Sequence, residues 1–244
     1  MRGHYQEHAA VAADAYLAWW RLAGVECAVA EAPADWLRAA TALPAPVAGA
    51  ADSPPLPPIE KPQTLESFHA WIAGDSGQPE RRWPGAALMP EGPAGAPLMV
   101  ITDMPDPADM AAGSLIADQA GRLLDAMLRA IGLRRDEVYV ASLFFSRPPG
   151  GMVEAADLTA AAERARLHIA LARPRRLLLL GDRTNRALLA DNAPVAVNGL
   201  RDFNLDGGIV PAIATFHPRL LLTQPMAKAE CWHILQSLIE DRNS

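Results

Sequence analysis

From residue 98 onward, apolar runs of strand length alternate with amphipathic stretches of helical length. "PLMVITDMP" reads as a buried strand ending in a loop. "QAGRLLDAMLRAIGL" reads as a helix, with Leu124, Met127, Leu128 and Ile131 on one face and Gly132 at its end. "EVYVASLFF" is a second strand, stopped by "SRPPGG". "DLTAAAERARLHIALARP" is a second helix, expected to be capped by Asp157 and to stop before Pro174. "RRLLLLGD" is apolar without alternation, the pattern of a strand covered on both faces. A short helix over "RTNRALLA", a strand over "IVPAIATFHP" and a terminal helix over "PMAKAECWHILQSLIEDR" complete the series. Strands alternating with helices predict a three-layer α/β/α domain with a mainly parallel central sheet.

Upstream the rhythm differs. Tyr16, Leu17, Trp20 and Ala23 stand at helical spacing before Gly24, predicting a helix over residues 9–30 and a shorter one over 34–40. "LPAPVAGAADSPPLPPIEKPQ" holds too many prolines for either a helix or a central strand. The expected organisation is a helical extension over 1–43, a Pro-rich linker over 44–64 that folds back on the core, and an α/β domain over 65–244. Within that domain, residues 65–73 predict a short helix, and "GDSGQPERRWPGAALMPEGPAGAP" a long irregular segment.

Composition narrows the function classes. Half of the 244 residues are hydrophobic, yet no apolar run approaches the roughly 18–20 residues of a membrane span. The first twenty residues lack a basic region followed by an apolar core, so no signal peptide and a cytoplasmic location are expected. Cys27 and Cys231 are far apart and show no CxxC spacing, so both are expected as small buried hydrophobes rather than metal ligands. The net charge of -6 gives no general nucleic-acid signal, but it is unevenly placed: residues 1–100 carry 11 acidic and 6 basic side chains, residues 101–244 carry 17 and 16. A local basic face is therefore compatible with the acidic total. Of the 22 basic residues only Lys61 and Lys228 are lysines; arginine suits bidentate phosphate contacts, although genome composition produces the same bias.

Candidate chemistry concentrates in "ATFHPRLLLTQP", where an apolar strand stops at His217. A polar side chain at the carboxyl end of a strand is how α/β sheets build sites. A structural cap is the alternative for such a histidine. "GDRTNRALL" lacks the GKS/T end of a nucleotide-binding loop.

Four segments together resemble the uracil-DNA glycosylase superfamily, over about residues 98–240, and in particular its family 4 branch. "DQAGRLLDAMLRAIGLRRDEVYV" is similar to the family's helix and second strand, and "SRPPGG" to its RPPGN loop. "LLLLGDRTNRALL" resembles the LGxTAxxALL segment, and "TFHPRLLLTQPMAKAECW" the HPS-type loop with its flanking strand and helix. The departures are as informative. The family's GEAPG motif falls on Thr102 to Asp106, where Pro105 is retained, Met104 stands beside it and Asp103 replaces the glutamate. The base-stacking phenylalanine becomes Ile116, and the asparagine that reads uracil becomes Ser142, which cannot offer both an amide donor and a carbonyl acceptor. The HPS serine becomes Arg219. The cysteines that hold the branch's usual iron–sulfur cluster have no counterparts, so no cofactor and no metal are expected.

The resemblance implies a DNA partner, uracil-containing or otherwise damaged, and no membrane. It makes His217 the donor to the departing base and Asp103 the acid that positions water or stabilises a cationic sugar, with Asp106 and Asp109 as substitutes. Ser142, Ile116, Met104 and Pro105 would form the base pocket. Arg147, Arg219 and Arg183 would contact the DNA backbone, and Leu221 within the triple leucine would enter the duplex. Three functions remain open on the sequence: an active glycosylase with altered base preference in base-excision repair, a catalytically silent descendant that binds DNA or a repair-associated protein, and an interaction protein that kept only the sheet.

Overall fold

The structure is a computed structural model that describes residues 61–74, 78–189, 200–205 and 208–242. The expected helical extension and the Pro-rich linker up to residue 60 lie outside the described residues. Five strands form one sheet in the order β2-β1-β3-β5-β4. They are β1 (Met99–Thr102), β2 (Tyr139–Ser142), β3 (Leu177–Leu180), β4 (Arg201–Leu205) and β5 (Gly208–Thr215). β1 runs parallel to β2 and β3, and β3 to β5; only β4 is antiparallel, joined to β5 as a hairpin.

Seven α-helices accompany the sheet among the described residues: α1 (Leu65–Gly74), α2 (Pro107–Ala112), α3 (Asp118–Ala130), α4 (Ala155–Ala172), α5 (Asp182–Leu188), α6 (Pro218–Thr223) and α7 (Ala227–Arg242). β1, β2 and β3 are buried on both faces, and the strand period of two divides the core. Val100, Val140, Leu178, Leu180 and Ile213 point to one side, where Leu124 and Leu128 of α3 and Leu235 and Leu238 of α7 cover them. Met99, Ile101, Ala141, Leu177, Leu179 and Ala212 point to the other, against Ala161, Ala165, Ile169 and Ala172 of α4. Small residues on α4 let that helix lie close to the sheet. The expected three-layer α/β/α arrangement is thus present.

Several local expectations are corrected. α4 begins two residues before Asp157, with Glu154 at the N-cap position; Asp157 sits in the first turn, where it pairs with Arg82. The segment after α1 is not wholly irregular, since Pro79–Arg82 forms a 3-10 turn and Glu91 bridges Val140 at the β2 edge. α2, α6 and β4 were not expected from the pattern. Polar Arg201, Asp202 and Asn204 leave β4 with one fully buried side chain, Phe203.

The strand order fixes where loops diverge. From β1 the chain crosses through α3 to β2 on one side, then returns through α4 past β1 to β3 on the other. Loops leaving the carboxyl ends of β1 and β3 therefore separate, and a crevice opens at this switch point.

Candidate nucleic-acid site

The crevice is a cleft of about 360 Å³ at the carboxyl ends of the strands. Asp103 and Met104 reach it from the end of β1, Arg147 and Gly151 from the loop after β2, Arg183 from α5, and His217 and Arg219 from the end of β5. Residues more than a hundred positions apart are thereby brought together by four parallel strand ends.

His217 is the N-cap of α6, with Pro218 in the first turn. Its Nδ1 accepts the backbone N–H of Arg219 at 3.2 Å, which leaves the proton of the neutral ring on Nε2. Burial pushes the His217 pKa below the ordinary 6.5, and the nearby Asp103 and Asp109 carboxylates oppose that shift without cancelling it. A neutral imidazole that donates from Nε2 is the result. Gly181 supports this corner: its N–H donates to Thr215 O at 2.8 Å, and its φ of +88° is a conformation that favours glycine.

Arginines and aspartates interleave around the cleft. Arg183 Nη1 lies 2.9 Å from Asp103 Oδ2. Arg147 Nη1 lies 2.8 Å from Asp106 Oδ1 and also donates to Pro105 O at 3.3 Å. Arg219 meets Asp106 with one guanidinium nitrogen and Asp109 Oδ1, at 3.1 Å, with another. Three cations and three anions leave no formal charge excess, despite the concentration of arginine. Asp109 is 2 % exposed and accepts backbone N–H groups from Asp106 at 3.0 Å and Ala117 at 2.8 Å, so it is principally a loop anchor.

Of the expected site residues, His217, Asp103, Met104, Arg147, Arg183 and Arg219 line the cleft together. Pro105 is buried and contributes its carbonyl to Arg147 rather than a surface to the cleft. Three expectations are corrected. Ile116 is 1 % exposed and packs in the core beside Leu124; with φ of +52° its loop turns the apolar side chain inward, where burial is favourable. Ser142 pairs with Thr102 across the sheet and is 3 % exposed, its Oγ buried without a hydrogen-bond partner, so it is not part of the cleft lining. Leu221, expected as the wedge, is 2 % exposed and belongs to the core with α7; Leu220 and Leu222, on the outward side of α6, are 37 % and 38 % exposed.

Sequence reasoning missed a second polar centre behind the loop after β2. Arg164 of α4 donates to Glu80 at 2.9 Å, to Gln78 and to Leu143 O at 2.6 Å, while Glu80 accepts the Phe145 N–H at 3.0 Å. The Arg164 guanidinium also stacks 4.5 Å above the Phe145 ring. Nearby, the Tyr139 hydroxyl lies 2.9 Å from His69 Nε2 and 2.8 Å from His168 Nε2. Burial holds the His168 pKa down to about 3, with smaller contributions from His69 and Arg164. The one signal for these groups was negative: charged and polar residues inside an otherwise small and apolar helix.

An iron–sulfur cluster is held by four thiolates or by thiolates with imidazoles. The chain has two cysteines, and Cys231 is buried with its Sγ accepting from Thr215 Oγ1 at 3.2 Å. Among the described residues no group of three His, Cys, Asp or Glu side chains converges on a metal position. These donors do not fit a cluster. Among the described residues no helix is long and apolar enough to cross a membrane.

Comparison with known proteins agrees with this architecture. Two curated relatives are both type-4 uracil-DNA glycosylases. The one from Pyrobaculum aerophilum is 24 % identical over 173 residues, covering 68 % of this chain and 88 % of that protein. The one from Thermotoga maritima is 28 % identical over 134 residues, covering 54 % of this chain and 69 % of that protein. Residues 89–238, which contain every strand among the described residues and the whole cleft, match the model of one family. The chain belongs to the uracil DNA glycosylase superfamily.

Proposed function

We propose that the protein is a DNA glycosylase that hydrolyses the N-glycosidic bond of a flipped, damaged base, with His217 and Asp103 as its catalytic residues. The observation that carries this reading is the His217 hydrogen bond: Nδ1 is committed to the Arg219 N–H, so the neutral ring keeps its proton on Nε2 as a fixed donor, on a residue that lines the cleft. As the bond between C1′ and the base nitrogen breaks, the bonding pair leaves with the base and negative charge grows on its carbonyl oxygen. A fixed donor at that oxygen strengthens in the transition state and stabilises the leaving anion. The sugar becomes cationic at the same moment, and the Asp103 carboxylate at the mouth of β1 is the counter-charge. Water adds to C1′, and its proton is lost to Asp103 and then to solvent or to the base. Arg183 holds Asp103 in place. Arg147 and Arg219 supply phosphate contacts, and exposed Leu220 and Leu222 take the wedge role in place of Leu221.

The buried hydroxyl of Ser142 favours a second reading, in which the chain binds DNA without excising uracil. A flipped uracil needs a donor and an acceptor on one edge, and Ser142 presents neither to the cleft. Base release separates the two readings. Single- and double-stranded oligonucleotides carrying uracil, hypoxanthine or xanthine are incubated with the protein and with His217→Ala. Release that falls by roughly 100- to 1,000-fold in the variant supports the glycosylase. No release by the wild-type protein, with salt-sensitive DNA binding retained, supports the silent reading.

A further inference from the structure

Asp106 occupies an unusual position among the cleft carboxylates. It stands at the N-cap of α2, and two arginines from different elements converge on it. Arg147 arrives from the loop after β2 and Arg219 from the first turn of α6. Asp109 beside it is buried and does not line the cleft, whereas the Asp106 carboxylate, besides its part in the capping box of α2, lines the cleft, with its side chain 23 % exposed and its arginines at 34 % and 30 %. A carboxylate and a phosphodiester present the same feature to a guanidinium, a pair of anionic oxygens at matching spacing. The arginines that would grip a DNA backbone are therefore already occupied by an internal anion.

We propose that Asp106 is a built-in phosphate mimic that sets the selectivity of the cleft, an inference that rests on the DNA-binding reading above. Undamaged DNA offers phosphates alone. To engage Arg147 and Arg219 it must displace Asp106, exchanging one anion for another with no net gain, so the two arginines stay latched. A strand whose damaged base enters the cleft gains that insertion as well, and this added interaction opens the latch. Asp106 thus suppresses binding to the large excess of intact DNA while leaving the productive complex accessible. The cost of separating Asp106 from its arginines is moderate because the pairs are partly solvated.

The test is Asp106→Asn, which keeps side-chain size and a favoured N-cap residue while removing the charge. Asp106→Ser, also a good cap, is a second neutral variant if the first melts early. Affinity for a uracil-free duplex is measured by fluorescence anisotropy between 50 and 200 mM salt. The neutral variants are expected to bind more tightly at low salt, with a log–log slope steeper by roughly one, the unit for Arg147, because Asp109 still holds Arg219. They then lose about threefold more affinity across that salt range than the wild-type protein. Adding Arg147→Gln and Arg219→Gln to Asp106→Asn removes the gain. Equal or weaker binding with an unchanged slope, in variants that melt like the wild type, overturns the proposal. The glycosylase reading fails separately: a wild-type protein that releases no base, beside neutral variants with steeper slopes, sinks the enzyme and keeps the latch. Base release with unchanged slopes sinks the latch alone. No DNA binding by any variant overturns both.

Discussion

Arg164 and Arg147 both meet carboxylates, on either side of the same loop, but in different surroundings. The side chains of Arg164 and Glu80 are 4 % and 7 % exposed; those of Arg147 and Asp106 are 34 % and 23 % exposed. The first pair is enclosed by protein: Gln78, the carbonyl of Leu143 and the N–H of Phe145 bond to it, and the Phe145 ring lies beneath. In the second, water competes for both partners. Similar ion-pair chemistry is therefore structural behind the loop and exchangeable in front of it. Burial separates the residues that build the cleft from those able to act in it.

The largest effect that would break this comparison is on stability. Arg164→Met leaves Glu80 buried without its cation and is expected to cost about 3–5 kcal/mol in chemical denaturation. If Arg164→Met and Arg147→Gln destabilise equally, the distinction between the two pairs is lost. Next, Leu221→Ala removes a core side chain and is expected to cost about 2–5 kcal/mol, whereas Leu220→Ala stays within about 0.5 kcal/mol. The same pair inverts in function: Leu220→Ala weakens DNA invasion at unchanged melting temperature. A third test is pH. His168 is held neutral in the fold, with a pKa of about 3 against 6.5 in the unfolded chain. As pH falls below 6.5 the unfolded state takes up a proton that the native state refuses, so stability is lost over the window from 6.5 towards 3. That loss is up to about 1.4 kcal/mol per pH unit for this one group. His69, shifted in the same direction, adds to it. His168→Gln flattens the dependence in melts recorded between pH 5 and 7. The smallest change is for Arg147→Gln itself, about 0–1 kcal/mol in stability, detected instead as a shallower salt dependence of binding to DNA that carries a damaged base.

The sheet was legible because burial on both faces leaves short continuous apolar runs at Met99 to Ile101 and at Leu177 to Leu180, each too short for a helix and ended by loop residues. The helix faces of α3 were legible for the same reason, with Leu124 and Leu128 one turn apart. β4 was not, because its alternation rests on Phe203 and Leu205 alone, with Arg201 at the third inward position, too short a signal to read. The triple leucine was misread on one residue: apolarity alone does not say which of three consecutive leucines faces inward. That is set by where α6 starts, with His217 as cap and Pro218 in the first turn. The polar half of the site was legible as residue types but not as partners. Pairing between Arg219 and Asp106, or between Arg183 and Asp103, depends on loops meeting across the strand order, which local pattern does not contain.

The bond from the Arg219 N–H to His217 Nδ1 makes a helix start and a tautomer the same event. Protonating the ring at Nδ1 would unfasten the first turn of α6, so His217 is ill suited to shuttle protons and well suited to stand as a fixed dipole. The bond also separates folding from chemistry. Asparagine at this position still offers an oxygen to cap the helix, but it is too short to carry a donor to where Nε2 sits. His217→Asn is thus expected to leave α6, Leu221 and the core in place while silencing the cleft, so that architecture and reactivity can be measured apart.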